Sequence, residues 1–198
     1  MPGVYACCTF FQHVTPEELA VSYEESAEPA NGYLVSLNTW WMLDDATATE
    51  ASDWGRQLEL ATQLTGEEGT AISVFLVGEL WTLALCHGGN RGPVALFVPG
   101  DSKLLEQLPH QLLAFEQAFG ELFPDDVDTD EVDSIFGALL DGAMLPEEAF
   151  SSLLQMVGVA ADWQRWCWCE TVPYQLFTDP DLSSRVIPLG LAKAFWEE

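Results

Sequence analysis

Positive charge is the scarcest property of this sequence. Six Lys and Arg residues stand against 32 Asp and Glu, for a net charge of −26. The six (Arg56, Arg91, Lys103, Arg165, Arg185 and Lys193) are scattered and form no basic patch. Nucleic-acid affinity rests on neutralising phosphates with Lys and Arg, so direct DNA or RNA binding is not expected. Docking on an anionic membrane is disfavoured for the same reason. No segment reaches the roughly 18 consecutive apolar residues of a membrane helix. The opening Met1-Pro2-Gly3-Val4-Tyr5 has no positive n-region and no cleavage pattern, so no secretory signal is expected.

Catalytic signatures are missing as well. There is no G-x-S-x-G, no P-loop, no G-x-G-x-x-G and no cysteine-protease signature. The five cysteines (Cys7, Cys8, Cys86, Cys167 and Cys169) are odd in number and poorly spaced for a disulfide framework. Reduced thiols in a cytoplasmic setting are the simplest reading.

What is present is core material. Hydrophobic residues make up 48% of 198 positions, with 8 Trp, 11 Phe and 4 Tyr, which excludes a chain kept open by low hydrophobicity. The length fits one domain. Val4 to Phe11 is a β-rich run. Thr15-Pro16-Glu17-Glu18 has the form of a capped helix start, with a helix to about Ser26. Tyr33 to Leu43 reads as one bent strand or two, with Asn38-Thr39 as the break. Ser52 reads as the cap of a helix whose Trp54, Leu58, Ala61 and Leu64 share a face, with Gly66 at its end. Ala71–Val77, Leu80–Cys86 and Val94–Val98 form a meander, joined by Gly78-Glu79 and by a loose Gly88–Gly92 turn.

Beyond residue 100 the pattern becomes helical. Ser102 is a cap, Pro109 an interruption, and Gln111 to Leu122 a continuing helix. Thr129 precedes the face Val132, Ile135, Phe136, Leu139 and Leu140. Pro146-Glu147-Glu148 opens another helix. Trp163 to Val172 fits either a strand or a helix capped by Asp162, Tyr174 to Phe177 is extended, and Leu189 to Trp196 is a last helix. The sum is an α+β fold in one unit, residues 1–198. Its antiparallel sheet carries a meander at about 71–98, strand-rich over 1–100 and helix-rich over 101–198.

Several clusters invite a site reading. Asp126-Val127-Asp128-Thr129-Asp130 begins like a calcium loop, but Glu131 stands where glycine is needed and Gly137 where a bidentate Glu is needed. Acids favoured at a helix N-terminus explain them with less. Cys86-His87 and Cys167-x-Cys169 could meet a zinc ion only through tertiary convergence, so no metal and no cofactor are expected. A Cys–His nucleophile pair drawn from Cys8 or Cys86 with His13, His87 or His110 needs proximity that sequence does not supply. Pairs such as Asp44-Asp45, Glu67-Glu68 and Glu147-Glu148 read as ordinary surface.

The indoles are more informative. Trp40-Trp41, and Trp163, Trp166 and Trp168, cannot all enter one core from strands, because neighbours alternate faces. Large rings beside acid have the composition of a binding hot spot. The expectation is therefore a non-enzymatic acidic domain, of inhibitor or immunity type, that neutralises a basic protein or mimics nucleic-acid charge. Trp40, Trp41, Trp163, Trp166 and Trp168 would be its anchors, and Asp125, Asp126, Asp128 and Asp130 its charged rim. The alternatives are a small enzyme with a dispersed acid–base site built from the histidines, Cys86 and the acids, and a generic regulatory interaction domain.

Overall fold

A computed structural model describes residues 5–26, 30–45, 54–166 and 184–195. Its centre is a seven-stranded antiparallel sheet, and the α+β class expected from sequence is what the chain adopts. The strands are β1 (Tyr5–Gln12), β2 (Asn31–Leu37), β3 (Trp40–Asp45), β4 (Thr70–Val77), β5 (Leu80–His87), β6 (Asn90–Phe97) and β7 (Val186–Gly190). They lie in the order β6-β5-β4-β1-β3-β2-β7. Among the described residues, five α-helices pack around them: α1 (Pro16–Ser26), α2 (Trp54–Leu64), α3 (Ser102–Leu122), α4 (Thr129–Leu140) and α5 (Pro146–Met156).

Helices cover both faces of the sheet. Phe10, Val35, Met42, Ile72, Val74 and Leu83 point toward α3, α4 and α5 in the larger core. Phe11, Leu34, Leu43, Ala71 and Ala84 point toward α1 and α2 in a second one. Two-sided burial explains why β4, Thr-Ala-Ile-Ser-Val-Phe-Leu-Val, is buried at seven consecutive positions rather than at alternate ones.

Local chemistry sets the elements. Thr15 and Glu18 close a capping box on α1: the Thr15 N–H donates to Glu18 Oε2 (3.1 Å) and the Glu18 N–H to Thr15 Oγ1 (3.2 Å). Asn38 takes a φ of 62° at the β2–β3 turn, a conformation Asn tolerates, and so breaks the run into a hairpin. Its side chain donates to the Gly158 carbonyl (3.0 Å), tying that turn to the end of α5. Gly88 and Gly89 both have positive φ, so β5 and β6 are joined by a tight two-residue turn and β6 begins at Asn90, not Val94.

Three helix assignments change. Asp101, not Ser102, caps α3, accepting from the Lys103 and Leu104 N–H groups. Pro109 does not interrupt α3, which runs through it. Pro109 and Leu105 are both exposed, so the carbonyl that loses its partner can be hydrated. Asp128, not Thr129, caps α4.

At the C-terminal end, the expected helix from Leu189 is instead β7 followed by a short 3-10 helix, Leu191–Phe195. β7 is an edge strand, which is where a strand tolerates Pro188. Both edges are blunted. β6 carries Pro93, and its Leu96 N–H donates to Gln111 Oε1 of α3 (3.0 Å). Trp163–Trp166 is a short 3-10 helix. Ser52, the end of the Trp163–Val172 stretch and the Tyr174–Phe177 segment lie outside the described residues.

Candidate protein-binding cleft

Two of the indoles expected on an exposed face lie in the core instead. Trp40 and Trp163 are both 0% exposed. Trp40 Nε1 donates to the Val157 carbonyl (2.8 Å), and its ring packs on Phe123 at 5.9 Å. Trp163 Nε1 donates to Ser151 Oγ (3.1 Å), and its ring meets Phe10 edge-on at 5.3 Å. Trp41 is half-buried against the α1–α2 side, on the face opposite Trp40. Alternation separated the two rings as strand geometry requires. It brought neither into the open, because both faces carry helices. Trp166 lies in the 3-10 helix and Trp168 outside the described residues.

The acidic stretch is exposed but stands apart. Asp125, Asp126, Asp128 and Asp130 lie around the start of α4, in the turn that follows Phe123. Asp128 Oδ1 accepts from the Asp130 N–H (3.0 Å), so this carboxylate is engaged as a helix cap. Among the described residues no three His, Cys, Asp or Glu side chains gather as metal ligands.

The charge on α4 still has a measurable consequence. Burial raises the carboxyl pKa of Glu116 on α3, and Asp133 and then Asp130 add to the rise. A carboxyl whose pKa is raised on folding binds more protons in the native state, so its contribution to stability falls as pH rises through its titration. Glu116→Gln is therefore expected to raise the melting temperature at neutral pH, and the gain should vanish below about pH 3, where both forms are neutral. Paired thermal melts across that range check it, and a gain that persists in acid would mean packing rather than charge.

Asp44 and Asp45 are not surface. They are 1% and 3% exposed at the end of β3. The Tyr23 hydroxyl donates to Asp45 Oδ1 (2.8 Å) and accepts from the Asn31 N–H (3.3 Å). Arg56 Nη2 lies 3.9 Å from Asp45 Oδ2. Burial, and then the Asp45 charge, push the Tyr23 phenol far above its ordinary range, so it stays neutral at physiological pH and keeps its proton for Asp45. The group joins α1, β2, β3 and α2.

Of the nucleophile candidates, Cys8 and Cys86 are both buried. Cys86 is buried 3.5 Å from Thr62 Oγ1, and burial raises its thiol pKa. His13, His87 and His110 are exposed. His87 Nδ1 is hydrogen-bonded to Thr70 Oγ1 (2.9 Å).

An apolar opening lies elsewhere. A cleft of about 690 Å³ lies where the β4–β5 turn, α3, the end of α4 and the start of α5 meet. Trp81 and Phe97, stacked at 5.7 Å with 7° between their planes, line it. Leu105 (40% exposed), Leu140 (46%) and Leu145 (56%) line it too. Among the described residues, Glu79 and Glu147 are the charged side chains that line it, and no cation does. None of the three histidines reaches it. Its Leu139 and Leu140 stand at the opposite end of α4 from the expected acidic rim, and a helix of this length spans roughly 17 Å.

Sequence reasoning placed no binding residue in this cleft. One signal was available: Leu145 occupies the N-cap of α5, where Ser, Thr, Asp or Asn is preferred. Glu148 Oε2 instead accepts the Leu145 N–H (3.1 Å), so the helix start is satisfied while the leucine side chain stays in solvent.

Comparison with protein-family models, with curated proteins and with solved structures finds no match to this chain. Among the described residues no helix is long and apolar enough to cross a membrane.

Proposed function

We propose that this chain is an acidic protein-binding domain, of inhibitor or immunity type, that docks a basic partner through the leucine-rimmed cleft. The observation that carries the reading is a coincidence of position. Six large hydrophobic side chains are exposed among the described residues, and three of them, Leu105, Leu140 and Leu145, line one concavity. Clustered exposed apolar surface, unlike scattered residues, marks interaction sites. Apolar anchors beside carboxylates have the build of an interface core with a polar rim. A net charge of −26 would speed encounter with a basic protein and make association fall with salt. The anchors are leucines and the stacked Trp81–Phe97 pair rather than the buried Trp40 and Trp163.

The test is paired affinity capture from the native host with the wild-type chain and Leu140→Glu. Leu140 is exposed, so the substitution should leave the fold intact. The wild type is expected to retain a basic protein at low salt that the variant loses. With that protein purified, Leu140→Glu should weaken binding at least about tenfold, or 1.4 kcal/mol. Identical recoveries by the two chains overturn the reading.

A further inference from the structure

We propose that the segment seated in this cleft is a basic amphipathic helix, its apolar face on the Trp81–Phe97 pair and its lysines or arginines against Glu79 and Glu147. The inference rests on the reading that the cleft docks a partner, and it specifies what that partner presents.

Three observations point to a helix rather than a strand. First, neither sheet edge offers a ladder. Pro93 and the Leu96–Gln111 bond close β6, and β7 carries Pro188 and turns into the last 3-10 helix. Second, apolar side chains dominate the cleft wall: leucines from α3, α4 and the α5 cap stand over an aromatic floor, with backbone contributed at Gly78 and Gly142. An extended peptide laid there would bury more N–H and C=O groups than this lining can pair, whereas a helix satisfies its own. Third, the leucines stand along helical walls, Leu105 and Leu108 one turn apart on α3 and Leu139 and Leu140 at the end of α4. Ridges of that kind receive apolar residues spaced i, i+3, i+4 and i+7.

Charge chooses among helices. With Glu79 and Glu147 as the charged lining residues and no cation among the described ones, a basic flank is attracted and an acidic one repelled. A second copy of this chain, itself carrying −26, is disfavoured on the same ground. So is a fatty acid, whose carboxylate would meet those of the cleft.

The probe is a fluorescein-labelled peptide of leucine and lysine, about five helical turns long, with leucines at helical spacing. Its isomer of identical composition has leucine and lysine alternating, and a third peptide replaces lysine with glutamate. Anisotropy titrations are run with wild type, Leu140→Glu and the double variant Glu79→Gln/Glu147→Gln, each first shown to be folded by circular dichroism. The helical-pattern peptide should bind wild type at least tenfold more tightly than its alternating isomer. Leu140→Glu should erase that preference, and the double variant should weaken binding several-fold.

Equal binding of the two isomers means charge adsorption and overturns the inference. So does equal binding of the glutamate peptide, or a dimer in sedimentation that Leu140→Glu dissolves. If the host capture still yields a cleft-dependent basic protein while the peptides show no preference, this inference fails alone. If neither experiment depends on Leu140, the docking reading falls with it.

Discussion

Trp40→Ala is expected to destabilise the protein by about 3–5 kcal/mol. That is a large part of the 5–15 kcal/mol that holds a typical domain together. The ring is fully buried, so its removal loses the transfer energy of an indole and leaves a cavity between β3 and Phe123. It also deprives the Val157 carbonyl, at the end of α5, of the Nε1 donor 2.8 Å away. Trp40→Phe separates the two effects: it keeps most of the apolar bulk and loses the donor, for about 1–3 kcal/mol. Urea unfolding of both variants, with an unchanged dependence on denaturant, measures them. A loss below about 1 kcal/mol for the alanine variant would show that the ring is not part of the core. The same pair separates core from contact, since an interface anchor would lose binding while keeping stability.

The fold was more legible than the site, and the reason is the range of the forces involved. Capping, tight turns and left-handed residues act within a few positions. Thr15 with Glu18, Gly78 in its hairpin, and Gly66, Gly142 and Gly158 after their helices sit where local chemistry puts them. The strand β7 escaped because Val-Ile-Pro-Leu-Gly is short and contains Pro188, a residue that suits only an edge, and edge position is a tertiary fact. Pro109 reads as a break until the exposure of Leu105 is known.

Burial of the tryptophans depends on distant partners. Trp40 and Trp41 face opposite sides, as alternation demands. Whether a side is open is decided by α1 and α2 on one face and by α3 to α5 on the other. Likewise Asp44-Asp45 looks like any acidic pair until Tyr23 and Arg56 are brought to Asp45 from other elements. The cleft is assembled from residues 76 to 147, so only its odd member, the leucine at a cap position, was visible in the chain itself. Acid alone therefore carries little information about function here. What supports the docking proposal instead is the position of Glu79 and Glu147 beside an apolar concavity.

Removing the Tyr23 hydroxyl tests the second buried arrangement. Tyr23→Phe leaves the ring and its packing but takes from Asp45 a donor at 2.8 Å and from the Asn31 N–H its acceptor. A hydrogen bond to a buried charged group contributes about 1.5–3 kcal/mol, and a loss of that size is expected at neutral pH. Combining the change with Asp45→Asn should cost less than the sum of the two single changes, by about 1–2 kcal/mol, because the two residues share the interaction.

The alkaline range gives an independent check. The phenol pKa is raised in the folded state, so the stability it confers is complete below the unfolded value, about pH 10, and is lost as pH rises above it. The stability gap between wild type and Tyr23→Phe should therefore be constant through neutral pH and shrink above about pH 10. Strictly additive single changes together with a gap independent of alkaline pH would show that α1 is held to β3 by packing alone.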